Sequence, residues 1–280
     1  MSVSTGESTD QEVLDLLELA ERLASLLDEV PLDGNLDVEP TASRIRVLEN
    51  LLIAARGLQS VCVLIATSLN GQRKDLTESA AVMVRQIVEL YGETLWMMGK
   101  NGAEADGRAL RAELSNTREI SKKVDKMVAG DPGFPVSDVE LARKKLSELE
   151  TEEASLKDAI QVYGLKPKGR PDMTSVLTKS PTPGLAFYWS YQSDVAHGGS
   201  MARNRSRVTP FEIEAGASPT RRAELLSVSI TAAGHLLDLA LTLVILPEGG
   251  SAELRGRLQA EVMEPYGQML SGDATTVPEA

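Results

Sequence analysis

The sequence predicts an all-α protein, a multi-helix bundle with a projecting antiparallel helical hairpin, and three observations carry that expectation. Aromatic residues make up only 4% of the chain and alternating β-branched stretches are nearly absent, so strands lack their usual signal. Leu, Ala, Glu, Arg and Met, the good helix formers, prevail instead. Apolar residues recur at three-and-four spacing, the period of a helix with one buried face. At 280 residues, with 42% hydrophobic and 25% charged, the chain can bury a full core as one domain or one domain carrying an insertion.

Taken in order, residues 1–9 are polar and acidic and are expected to be disordered. Residues 10–103 form the first part of the bundle. Asp10 caps a helix to about Val30, with Val13, Leu16, Leu17, Ala20, Leu23 and Leu27 on one stripe. Pro31 to Pro40 reads as a linker. Thr41 opens a long helix to about Leu69, closed by Asn70-Gly71. A third helix runs from about Leu76 to Lys100 and stops at Asn101-Gly102.

Residues 104–163 are charge-rich and read as the hairpin, two helices joined at Gly130-Asp131-Pro132-Gly133. Ser137 and Glu140 have the spacing of a capping box for the second. Ala142, Leu146, Leu149, Leu156 and Ile160 make a narrow seam broken by Glu153, with Leu110, Leu114, Val124 and Val128 as a weaker match. Such a hairpin suits a scaffold or a dimer arm, and a homo-oligomer is expected.

Residues 164–270 form the second part of the bundle. Four prolines make Gly164 to Gly184 a loop, and a helix from about Leu185 to His197 ends at Gly198-Gly199. Arg203 to Ala217 is irregular, with a short extended piece at Val208 to Ile213. Ser218 caps an apolar helix to Leu246, and a last helix covers Ser251 to Leu270. Residues 271–280 read as a disordered tail.

A net charge of −12 argues against a protein coated for DNA or for an anionic membrane. Cys62 is the only cysteine, so no intrachain disulfide can form, and its apolar surroundings suit a small buried hydrophobe. The N-terminus has no apolar leader. The most apolar window, Ile230 to Leu246, is interrupted by His235 and Asp238 and is shorter than a bilayer span. A cytoplasmic protein with no membrane association is the expectation, with His235 a core residue.

Three features mark a candidate site. On the third helix Arg85, Glu89 and Glu93 make one polar stripe on an otherwise apolar circumference, and such a stripe must be paired or face a cavity. On the helix Ala186 to His197, Trp189, Ser193 and His197 are spaced one turn apart in the densest aromatic cluster. A histidine there can donate, accept or carry a proton near neutral pH. Around it, Lys166, Lys168, Arg170, Lys179, Arg203, Arg205 and Arg207 face only Asp172 and Asp194, giving +5 between residues 164 and 209 and leaving −17 for the rest. A basic collar on an acidic protein attracts phosphates or RNA.

The arrangement resembles a family of uncharacterised bacterial helical proteins that pair an Arg-x-x-x-Glu helix with a later Tyr-x-x-x-Ser-x-x-x-His helix, here Arg85/Glu89 and Trp189/Ser193/His197, over residues 45–245. More distantly, Asp194-Val195-Ala196-His197-Gly198 is similar to the histidine end of HEPN domains. Those are helical bundles, often dimeric, many of them metal-independent RNases of bacterial toxin–antitoxin and phage-defence systems. Their arginine four to six residues before the histidine is missing, the nearest preceding one being Arg170, and Arg85 is expected to replace it from the neighbouring helix. The resemblance implies His197 as general acid or base, Arg85 as phosphate stabiliser, Glu89 orienting Arg85, Ser193 holding the histidine, and no metal or cofactor.

Other chemistries lack their residues. There is no G-x-S-x-G elbow, Walker loop or G-x-G-x-x-G, and two isolated histidines with one cysteine do not make a zinc site. Ser193 and His197 stacked on one helix seldom reach the geometry of a hydrolase dyad. The competing expectation is a non-catalytic helical module that binds a partner or ligand, with Arg85, Glu89, Ser193 and His197 as a structural network.

Overall fold

Good helix formers interrupted by caps and glycines produce long helices and little else. The computed structural model describes residues 5–30, 41–69, 76–99, 104–129, 136–196, 219–244, 246 and 249–271. Its elements are α1 (Thr5–Asp28), α2 (Ala42–Leu69), α3 (Leu76–Met98), α4 (Ala105–Val128), α5 (Val136–Val162), α6 (Met173–Thr178), α7 (Gly184–Ala196), α8 (Pro219–Leu243), α9 (Gly250–Leu258) and α10 (Glu264–Ser271). A π-helical turn, Gln259–Met263, joins the last two. No strand occurs among the described residues. The all-α multi-helix prediction holds.

The boundaries differ from expectation at identifiable places. α1 begins at Thr5, so Asp10 lies inside the helix and most of the expected disordered stretch is helical. α3 stops at Met98 and not at Asn101-Gly102. Gly99 takes φ +51°, and Nη1 of Arg108 would stand 1.7 Å from any Cβ there. That same Nη1 donates to the Trp96 carbonyl at 2.9 Å, closing an otherwise open helix end. α5 begins one residue ahead of Ser137, placing that serine in the first turn and not at the cap. α6 was not expected, since the prolines around it forbid only a long helix. The expected linker at 31–40, the Asn70-Gly71 and 130–133 turns, Gly198-Gly199, the irregular 203–217 stretch, Ser218 and the tail beyond 271 lie outside the described residues.

The chain divides into two units, one of Met1–Pro40, Val47–Leu95 and Met173–Ala280, the other of Thr41–Arg46 and Trp96–Asp172. The second is larger than a bare hairpin. α4 and α5 pack against each other: Thr117 Oγ1 donates to Glu152 at 3.1 Å, and Leu114 on α4 and Ala142, Leu149 and Ile160 on α5 are buried. Of the expected α4 stripe Leu114 is buried, and Leu110, Val124 and Val128 are half-buried. Glu153, the break in the α5 seam, is paired. It accepts from Arg118 Nε at 3.0 Å and from Lys157 Nζ at 2.9 Å, and those bonds hold its carboxyl below the usual range.

The first turn of α2 belongs to this unit because Asp106 caps it. One Asp106 oxygen accepts from the Ser43 amide at 2.9 Å and the Ser43 hydroxyl at 2.7 Å. Burial works against the Asp106 charge, but the Ser43 bonds, Thr41 and the Arg44 charge together hold its carboxyl below its ordinary value. An anion at a helix N-terminus is also favoured by the aligned peptide dipoles.

In the first unit α1 packs on α8, burying the predicted stripe of Val13, Leu16, Leu17, Ala20, Leu23 and Leu27. Arg257 on α9 bridges Glu29 at 2.5 Å and Glu261 at 2.8 Å. Tyr266 bonds the Ser227 hydroxyl, and Thr231 Oγ1 at 3.1 Å, fastening α10 to α8. α2 and α8 are long and apolar enough to cross a membrane by length and composition. Their most apolar windows are 50% and 61% buried, and Ile230, Leu236, Leu237 and Ala240 of α8 lie in the core. Cys62 is likewise buried on α2, and burial, with Glu21 nearby, pushes its thiol up to about 12.

Candidate functional site

α3 is the helix on which a polar group has fewest places to go. Ala80, Ala81, Val84, Ile87, Val88 and Tyr91 are all buried, so apolar contacts surround most of its circumference. The stripe predicted there divides in two. Glu93 is 2% exposed and accepts from Asn50 Nδ2 at 3.4 Å, while the same amide reaches Thr94 Oγ1 at 3.1 Å. This end is a core network between α2 and α3. Glu89, one turn earlier, is half-buried and has interactions of its own.

Arg85 is half-buried and meets α7. Its guanidinium carbon lies 5.6 Å from the centroid of the Trp189 ring. A cation over an indole face is attracted by the ring quadrupole, by about 0.5–2 kcal/mol according to desolvation. Two donors of this pair, Arg85 Nε and Trp189 Nε1, are buried without a hydrogen-bond partner. A buried donor left unmet costs roughly 1–3 kcal/mol, and here two stand side by side on stacked groups. Glu89 follows Arg85 by one turn of α3.

α7 turns its next aromatic to a second arginine. Arg221 on the first turn of α8 stands 5.9 Å over the Tyr188 ring and donates from Nη1 to Glu224 Oε2 at 2.5 Å. Burial works against its charge, but the Glu224 bond, Tyr188 and Glu78 push its pKa above the ordinary value, so it stays cationic. Arg222 donates to the Ser68 carbonyl at the last turn of α2, at 3.3 Å, the helix end where a cation is favoured. α3, α7 and α8 therefore converge on a corner of two arginines and two aromatic rings.

Ser193 lies in α7 one turn after Trp189, and its side chain is outside what the structure describes. His197, Arg203, Arg205 and Arg207 also lie outside the described residues. The remaining basic residues of the collar belong to the second unit, except Lys179, which is exposed in the first. Arg111 Nε donates to the Lys168 carbonyl and its Nη2 to the Gly169 carbonyl, both at 2.9 Å. The Arg170 amide donates to Ser115 Oγ at 3.0 Å, and the Arg170 guanidinium pairs with Glu119 at 3.6 Å. Lys166 and Lys168 are exposed, while Arg170 is committed to α4.

Sequence reasoning missed Arg221 and Arg222. The doublet follows Ser218-Pro219, a cap and first-turn proline, so its place at a helix start was readable. Its aromatic partner, 33 positions earlier, was not. Also missed was that Trp189 would be the ring under Arg85. His235, read as core, is half-buried, with its ring 5.9 Å from that of Tyr91. Among the described residues no group of three or more His, Cys, Asp or Glu could hold a metal ion. No protein-family model, no curated protein and no solved structure matches the chain.

Proposed function

We propose that the chain is a HEPN-like helical protein that binds RNA or another phosphate-bearing ligand at the Arg85–Trp189 corner and cleaves RNA there without a metal. One observation carries the reading: a guanidinium stacked on an indole, each with a buried N–H that no acceptor meets. Unpaired nucleotides offer both halves of the complement, a base to stack and phosphate oxygens to accept. Arg221 adds a second fixed cation beside the adjacent ring.

Four and eight residues separate Trp189 from Ser193 and His197, the spacing of one and two helical turns. In this reading His197 takes the proton of a ribose 2′-hydroxyl, or returns one to the leaving oxygen, while Arg85 stabilises the charge that develops on phosphorus oxygens. Ser193 orients the imidazole, and Arg203, Arg205 and Arg207 hold the strand by its phosphates.

The test is incubation of purified protein with total RNA and with tRNA in the presence of chelator. Wild type is expected to cleave, His197→Ala to bind without cleaving, and Arg85→Ala to lose both. Intact RNA with wild type, together with an unchanged cellular phenotype for His197→Ala, would sink the catalytic reading.

A second reading rests on the Glu93–Asn50–Thr94 network, which makes part of the polar stripe structural. Here the corner binds a ligand without chemistry and the polar groups fix helix register. It is favoured if His197→Ala lowers Tm and leaves wild-type RNA binding unchanged.

A further inference from the structure

A cleft of about 520 Å³ opens between α8 and α9 of the first unit, lined by His235, Asp238, Arg255, Gly256, Gln259 and Met263 among others. We propose that this cleft binds a neutral, planar heteroaromatic molecule of nucleobase size, distinct from the ligand at the Arg85 corner.

Four observations carry it. First, the charges lining the cleft cancel. Arg255 donates to the Asp238 carboxylate from Nε at 2.7 Å and to the Asp238 carbonyl from Nη2 at 3.1 Å, so the ion pair is already satisfied. Burial keeps the His235 pKa below its ordinary value despite the Asp238 charge nearby, so the imidazole is neutral at physiological pH. The pair therefore offers no net charge to recruit an ion.

Second, hydrogen-bonding groups stand uncommitted beside this neutral pair. Among the described residues neither the His235 imidazole nor the Gln259 amide has a hydrogen-bond partner. A neutral imidazole presents one donor and one acceptor, and an amide presents the same two functions. Together they match the alternating donor and acceptor edge of a nucleobase or a lactam. Tyr91 packs against the His235 ring and takes a hydrogen bond from Thr182 at 3.3 Å, which holds the imidazole in place from behind.

Third, a glycine keeps the wall low. Gly256 lies in the interior of α9, where glycine is disfavoured relative to alanine, yet a Cβ there would meet nothing within 4 Å. Packing does not require it. By contrast a Cβ at Gly234 would approach the Met263 sulfur to 2.8 Å, so that glycine admits the thioether. Flat small-residue surface and a polarisable sulfur suit an aromatic face.

Fourth, the backbone departs from α geometry at the cleft. Gln259–Met263 is π-helical, a rare conformation that shifts side-chain register. Both Gln259 and Met263, the first and last residues of that turn, line the cleft.

The test measures binding of adenine, uracil and indole to the full-length chain by ligand-observed NMR and by thermal shift, with inorganic phosphate as the charged control. Saturable binding of adenine or uracil, with a Tm rise of a few degrees and none from phosphate, is expected. Gly256→Leu fills the cleft while improving helix propensity, so its Tm should match or exceed wild type and its affinity should fall at least tenfold. His235→Phe keeps the ring but removes the polar edge, and should weaken adenine and uracil more than indole. No saturable signal with any of the three rings, or undiminished binding by Gly256→Leu, would overturn the proposal. Binding of phosphate alone would do the same. RNA cleavage by Gly256→Leu should equal that of wild type, which separates this cleft from the Arg85 corner.

Discussion

Asp106 is the residue whose position does most with fewest atoms. Its single carboxylate oxygen meets an amide and a hydroxyl of Ser43, so it caps α2 although it belongs to α4. An N-cap of this kind contributes about 1 kcal/mol. In a chain of this size, that corresponds to a Tm change of roughly 2–4 °C. Asp106→Ala is therefore expected to lower Tm by that amount in a calorimetric scan, with Asp106→Asn losing less because an acceptor remains. Arg85 shows the opposite case. Its stacking on Trp189 leaves a buried donor unmet, a local cost with no structural return, and such costs gather where a protein has work to do.

At the scale of elements, close approaches decide what sequence patterns can and cannot foretell. Gly92 on α3 lets α6 settle against it: a Cβ there would stand 2.4 Å from the Met173 sulfur and 3.1 Å from Leu177 Cδ2. Gly92→Val should lower stability by about 1–3 kcal/mol through overpacking, read from the midpoint of urea unfolding. The same contact explains why α6 escaped the sequence. A helix of six residues has no period to detect, and it is held by long-range packing rather than by propensity. The long helices were readable because Leu16, Leu23 and Leu27, or Ala142 and Leu149, repeat at helical intervals. The burial of Ala105, Ala109 and Ala112 was not, since alanine is common on exposed helix faces as well. Nor was the π-helical turn, a rare conformation with no sequence period of its own. In the candidate site the residue types and spacing on α3 and α7 were readable. Which arginine would meet which ring was not, because Arg85 and Trp189 are joined only by folding.

For the whole molecule, acid should unfold the chain in an ordered way. Asp106 and Glu153 have carboxyls held below their ordinary values in the fold. The unfolded chain therefore takes up protons first, near its ordinary carboxylate pKa of about 4. Their contribution is fully present above that value and is lost as pH falls through the lower folded values. His235, also depressed, acts in the same direction from about pH 6.5 downward. Urea midpoints are expected to decline gently from pH 7 to 5 and steeply from 5 to 3. The double variant Asp106→Asn, Glu153→Gln should flatten the steeper part, and an unchanged profile in that variant would count against these two pairs as its source.

Maleimide chemistry needs a thiolate that solvent can reach, and Cys62 offers neither exposure nor ionisation at neutral pH. The native chain is thus silent to thiol dyes without any cysteine being removed. New cysteines at exposed Leu270 and Val162, one in each unit, would carry a donor and an acceptor fluorophore on an unmodified background. Energy transfer between them would follow the two units as RNA is added, and any labelling of Cys62 itself would report the core coming open.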